Sequence, residues 1–178
     1  MARKSRAIGG TFYLTKQVDT SSQGFNQSEL DVSSFVNVIK GEVIRVKQVW
    51  MNFASDSGMP VQGADLGTSK GCSATAAVTV ESHDQRASFG HNSVVSGAQI
   101  YAHTDSNTDI DFILLETSMN PAEFADGYLV ATDSIYLQIA PGTDAFAADI
   151  RCTMKLECEV VKLSLSDAQS VLVTQTLG

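Results

Sequence analysis

The sequence has little of what usually marks a chemistry. Among 178 residues there are three cysteines, three prolines and one tryptophan, and only 18% of residues are charged. The odd cysteine count, at 72, 152 and 158, speaks against a disulfide framework. Cys152 and Cys158 fall on one face of one expected strand, where six residues span about 20 Å, beyond a disulfide's reach. Buried reduced thiols are the reading. His83, His91 and His103 lack the close spacing with cysteine that a zinc site favours, so no zinc site is expected. No GxSxG elbow and no GxxxxGK[ST] or GxGxxG phosphate loop occurs. Nor does any spacing set a Ser or Cys beside a base and an orienting third group. The expectation is a protein that is not an enzyme and needs no cofactor.

Two further absences concern location. No segment approaches the ~18 consecutive apolar residues of a membrane span. MARKSR is followed by AIGGTFYLTKQ, without the ~7–15 apolar residues of a secretory signal. A chain made in the cytoplasm, with no membrane span, is expected. At this length one domain is expected, burying roughly 70% of its unfolded surface without staples.

Charge is unevenly placed. Residues 1–47 carry seven Lys/Arg against four Asp/Glu (+3), and residues 48–178 carry five against sixteen (−11), for the net −8. An acidic body is a poor general partner for nucleic acid, because each phosphate contact needs a cation. Arg3, Lys4 and Arg6 form a short basic arm (residues 1–8), able to make at most weak nucleic-acid contact.

Hydrophobic residues make up 43% of the chain, and their order carries the fold. In 147–163, AADIRCTMKLECEVVKL, the even positions from 148 to 160 are apolar or cysteine, whereas 149 to 159 read Asp, Arg, Thr, Lys, Glu, Glu. A period of two over this length predicts a long strand with one face in a core. The parity flips at Val160–Val161, where a bulge is expected. Seven more strands are read at Thr11–Val18, Leu30–Val38, Glu42–Ala54 (bulged near Gln48), Ser73–Glu81, Ala98–Ala102, Phe112–Thr117 and Tyr128–Ala140. Phe112–Thr117 is a continuous apolar run and reads as covered on both faces. Trp50 reads as core. Asn120-Pro121-Ala122-Glu123 predicts one or two helical turns ended by Gly127. The segment 166–178 carries both a helix cap spacing, Ser166 with Gln169, and β-branched residues, so helix and strand both stand. Eight strands with long Gly/Ser/Asp-rich loops point to an all-β antiparallel sandwich of jelly-roll topology over residues 9–165.

The stretch DSNTDIDFILLE places Asp105, Asn107, Asp109 and Asp111 at alternate positions and Glu116 eleven residues after Asp105. The spacing imitates an EF-hand loop, but Ile110 occupies the position that needs glycine, and strands flank it instead of helices. A hairpin connection with local side-chain to backbone bonds is expected. Asp105, Asn107, Asp109 and Asp111 remain candidate ligands for a structural calcium ion.

The layout resembles the small single jelly-roll capsid proteins of icosahedral viruses: a short basic arm (MARKSR), about eight strands, and long loops such as ASDSGMPVQGADLGTSKG. That resemblance implies a virion shell subunit made in the host cytoplasm. It also implies self-assembly through sheet edges and loops, contacts with other virion proteins, an inward-facing arm, and cations bound between subunits. The arm is less basic than in members that package their genome directly, which fits a shell over a membrane, or a minor or decorating component. Two other readings are kept. A jelly-roll binding module of a fibre, spike or carbohydrate-binding type would use Tyr101, Tyr128 or Tyr136. A cupin-like enzyme would need an interior His/Glu metal cluster, to which His103 and Glu116 would contribute.

Overall fold

The computed structural model describes residues 6–20, 24–68, 70–105 and 110–176. Ten strands form two antiparallel five-stranded sheets: β1 (Arg6–Ala7), β2 (Phe12–Asp19), β3 (Asn26–Asp31), β4 (Glu42–Ser55), β5 (Gly71–Thr79), β6 (Val94–His103), β7 (Phe112–Met119), β8 (Tyr128–Val130), β9 (Ser134–Pro141) and β10 (Ile150–Lys162). The first sheet runs β2-β10-β4-β8, with β1 continuing the β2 edge against the end of β10. The second runs β3-β9-β5-β6-β7. Without β1 and β7, every connection but β5–β6 crosses between sheets. This is the eight-stranded jelly roll that the sequence predicts.

β10 pairs with β4 along its whole length and with β2 over Arg151–Cys158. Ile150, Cys152, Met154, Leu156 and Cys158 all point inward and are buried. β4 presents Val49 and Phe53, then Ile44 and Val46, to the same core. The change of parity is absorbed by one unpaired residue, Lys47, where Gln48 faces Glu157 but Val46 faces Cys158. This is the bulge expected near Gln48. The solvent face of this sheet carries cross-strand ion pairs: Arg45 with Glu159 at 2.9 Å, Lys47 with Glu157 at 3.0 Å, and a bidentate Arg151–Asp19 pair at 2.7 and 3.1 Å. The more exposed Lys47–Glu157 and Arg151–Asp19 pairs contribute about 0.2–1 kcal/mol each, and Arg45–Glu159 is largely covered. They account for Arg151, Glu157 and Glu159 among the charged odd positions of β10, and Lys155 lies over the Tyr13 ring.

The parity flip at Val160–Val161 is not a bulge, because the ladder with β4 runs on without a shift there. Val161 points to the opposite face and joins Val43, Ala131, Leu163, Ala168 and Val171 in a second buried cluster. Its cover is helix α2 (Leu165–Thr176), which follows α1 (Gly63–Leu66) as the second α-helix. The ambiguous tail is therefore a helix, started by the Ser164 hydroxyl, which accepts from Asp167 N and donates to the Asp167 carboxylate. Gln175, buried near its end, accepts from Ala131 N and donates to Leu129 O.

Other expectations are corrected. The strand read at Leu30–Val38 lies earlier, at Asn26–Asp31, because the Asp31 carboxylate accepts from Ser33 N and turns the chain. Val32 then enters the core and Phe35 stacks on Phe12 with centroids 4.7 Å apart. Tyr128–Ala140 is not one strand. β8 and β9 belong to different sheets, and the turn between them is fixed by Val32 N donating to Asp133 O and Thr132 Oγ1 donating to Ser134 O. The apolar alternation runs through this turn and hides it. Asn120 does cap a turn, a 3-10 helix at Pro121–Glu123, and Gly127 adopts a left-handed conformation (φ 65°) beyond it. Trp50 lies on the solvent face of β4 and is 41% exposed.

All three cysteines are buried thiols outside any disulfide. Burial pushes the Cys152 and Cys158 thiols up to about 12, with Glu157 adding to the rise at Cys158. Native protein at pH 8 is expected to leave both unmodified by a maleimide over an hour and to react fully in denaturant. Labelling of either within minutes in the native state would contradict the closed core.

Candidate functional site

β6 and β7 form a hairpin whose connection contains the alternating acidic stretch. Asp111 N donates to His103 O at 2.9 Å, and the Asp111 carboxylate accepts from Asp105 N at 2.5 Å while lying 3.6 Å from His103 Nδ1. Asp105 and Asp111 are thus brought together with His103, an imidazole not counted among the candidate ligands. Their potential ligand atoms lie within 4.8 Å of one another. Asn107 and Asp109 lie outside the described residues. Glu116 is elsewhere along the hairpin, accepting from Gln99 Nε2 at 2.6 Å.

The registry of the hairpin sets the character of β7. Phe112 faces His103, Leu114 faces Tyr101 and Glu116 faces Gln99, on the outer side of the sheet; Ile113 and Leu115 face Ala102 and Ile100 on the side toward the other sheet. Phe112, Ile113, Leu114 and Leu115 are nonetheless 46–53% exposed. Among the described residues the expected double cover of this run is absent, and the reason is width. The β2 side of the first sheet lies over β3 and β9, and β4 lies over β6. The strand beyond β4 is β8, with three residues. β7 overhangs it. An apolar strand with one unpaired edge and both faces open is a surface that assembly covers in natural proteins.

Of the arm, Arg3 and Lys4 lie outside the described residues. Arg6 is exposed in β1 and pairs across the sheet with Lys162. His103 faces outward beside Phe112, with rings stacked 5.3 Å apart. Glu116 lies on the same outer side of the sheet, opposite Gln99. The interior His/Glu cluster of the cupin-like reading is therefore not formed by His103 and Glu116. The three tyrosines considered for a groove stand apart: Tyr101 packs on Phe112, Tyr128 donates to Asn92 O, and Tyr136 lines a different cleft.

That cleft holds the residues the sequence reading passed over. Loop 80–93, between β5 and β6, places Glu81, His83 and His91 with potential ligand atoms within 4.8 Å of one another. Glu81 and His83 are two apart just past a strand, which is legible as a shared side. The return of His91 is not, since it depends on the loop's path. Two side-chain amides, the buried Gln138 and the half-buried Gln27, pin that path. Gln138 accepts from Ala87 N at 3.1 Å and donates to Thr79 Oγ1 at 3.1 Å, and Thr79 Oγ1 donates to Glu81 O at 2.7 Å. Gln27 donates to Ser82 Oγ at 2.6 Å and accepts from His83 N at 3.2 Å. Phe89 packs against Gly97, where any Cβ would strike its ring.

No family model matches the sequence, and no curated protein matches it. In three dimensions the chain is similar to VP1 of KI polyomavirus in an unassembled pentamer, with TM-score 0.45 and 8% identity over 89% of this chain and 98% of that one. It is also similar to VP1 of Trichodysplasia spinulosa-associated polyomavirus in complex with GM1 oligosaccharide, with TM-score 0.47 and 8% identity over 88% of this chain and 97% of that one. A structure of the latter protein with 3'-sialyllactose gives TM-score 0.47 and 8% identity over 91% and 98%.

Gln138 is fully buried. Replacing it with leucine leaves Ala87 N–H without its partner, at a cost of about 2 kcal/mol. Urea unfolding of Gln138→Leu is expected to show that loss; a change below about 0.5 kcal/mol would show that the loop does not depend on this amide.

Proposed function

We propose that this chain is a structural shell subunit of a virion that assembles with copies of itself. The observation that carries the reading is β7. Four consecutive large apolar side chains, each about half exposed, lie on the unpaired edge of the wider sheet. Covering them contributes on the order of 1 kcal/mol per side chain, about half the value for full burial. The free backbone groups of the strand add pairing to that. A second copy of the chain is the occupant that a shell supplies at every such edge. The low charge content fits a surface spent on contacts, and the acidic body fits an outward face better than one against a genome. Arg6 beside Lys162 gives the arm a small basic patch at the β2 edge. Among the described residues no helix is long and apolar enough to cross a membrane.

A second reading has its own observation. Trp50 and Tyr13 lie exposed on the outer face of the first sheet with centroids 6.4 Å apart, and the Lys155 ammonium sits 4.9 Å from the Tyr13 ring. Exposed aromatic platforms of this kind bind sugars, which is the binding-module alternative. The two readings differ in mass: a shell subunit forms large regular assemblies, and a binding module stays a monomer or trimer.

Negative-stain imaging with mass photometry of the purified chain is expected to show closed shells or large regular oligomers. Ile113→Lys with Leu115→Lys is expected to reduce them to small species while lowering stability by about 1 kcal/mol per residue, the share of burial already made within the chain. A wild-type chain that stays monomeric or trimeric under all conditions would move the assignment to the binding module.

A further inference from the structure

The cleft at loop 80–93 is built like a metal site, and we propose that Glu81, His83 and His91 bind a divalent ion of the zinc class. Two imidazoles and one carboxylate are the donor set of borderline transition ions, whereas calcium takes oxygen ligands. The three donors lie within 4.8 Å of one another. Ligand atoms on a tetrahedral ion at ~2.0–2.1 Å are about 3.3 Å apart, so closure requires side-chain adjustment alone.

Ser93 organises the pair. Its hydroxyl lies 2.9 Å from His83 Nε2 and 2.8 Å from His91 Nδ1, and its backbone N–H donates to His91 Nδ1 at 3.2 Å. A nitrogen that accepts a backbone N–H carries no proton. The Ser93 hydroxyl therefore donates to His91 and accepts from His83 Nε2–H. This leaves His83 Nδ1 clear of Ser93, whereas His91 offers the lone pair of Nδ1 to an ion only by exchanging its Ser93 bonds for the metal. The Ser93 hydroxyl holds the two rings edge to face with centroids 5.0 Å apart. For His83 the fully buried Ser93 does what a hydrogen-bonded outer partner does around a metal-binding histidine, which is to accept the second ring N–H and fix the orientation.

The loop is held before any ion arrives, by Gln27, Gln138 and Thr79 as described above. Pre-positioned ligands lose little conformational freedom on binding. The cleft is also open and roomy, about 580 Å³ in volume, with Asp133 and Ser134 from the β8–β9 turn forming its far wall. Solvent or a further oxygen donor can complete the coordination. The ion would fasten loop 80–93 across an end of the sandwich. The inference is independent of the shell reading.

The test is calorimetric titration of the tag-free full chain with Zn²⁺, with Co²⁺ as an optical probe. One equivalent is expected to bind, with Co²⁺ giving the visible bands of a tetrahedral or five-coordinate site, and millimolar Ca²⁺ is expected to leave the zinc affinity unchanged. His83→Gln is expected to lower the affinity at least a hundredfold and Glu81→Gln at least tenfold. Glu81→Gln keeps the hydrogen-bonding shape, so it also reports if His83→Gln unfolds. A double variant, His103→Gln with Asp111→Asn, is expected to bind zinc like the wild type. Absence of one-equivalent binding would overturn the proposal. So would affinity that survives His83→Gln, or affinity lost in the His103/Asp111 variant, which would place the ion on the β6–β7 hairpin.

Discussion

Strand β10 is hydrogen-bonded on both sides, to β4 along its full length and to β2 and β1 on the other edge. The rest of the sandwich is arranged around it. Its inward residues, Ile150 to Cys158 at every second position, form the middle of the core. Its outward residues enter cross-strand ion pairs, and its last turn outward, at Val161, provides the seat for α2. Once β10 is central, the first sheet is complete at β8, a strand too short to reach across the facing sheet. The second sheet goes one strand further. The exposed β7 is thus a consequence of unequal sheet widths, not of a loosely folded end.

That mismatch is where the physical argument passes from fold to function. A monomer gains nothing from four half-exposed large apolar residues on an open edge, and risks uncontrolled pairing there. Natural sheet edges are usually blunted by charge, proline or bulges. β7 carries no proline; its single charge, Glu116, and its one bulge, at the unpaired Ser118, both lie beyond the apolar run. The edge is left suitable for pairing, which is what a subunit of a closed assembly needs.

Much of the architecture was legible because period-two alternation is a direct image of a half-buried strand. β10, β2, β4 and the bulge near Gln48 all follow from it. It failed where burial came from an unexpected side. The parity change at Val160–Val161 records a helix packed on the outer face, which no pattern within the strand announces. The continuous run at Phe112–Leu115 looks the same whether its cover is in the chain or in a neighbour. The Tyr128–Ala140 alternation continued through a turn fixed by distant partners, Val32 and Gln175. Trp50 reads as core from the strand it lies in, although its sequence neighbours Val49 and Met51, of the opposite parity, already claim the inner face. The acidic hairpin was read correctly as a connection between strands. The Glu81–His83–His91 cluster was not, because sequence spacing does not report how a loop of this length returns on itself.

The most direct test of the account is hydrogen exchange of the β7 backbone amides, compared between assembled protein and the dissociated Ile113→Lys, Leu115→Lys chain. If copies pair or pack at this edge, amides of residues 112–119 are protected in the assembly by a factor well above any change at β3, the opposite edge of the same sheet. Equal exchange at β7 in the two states would show that the overhanging strand stays open, and would remove the observation on which the shell assignment rests.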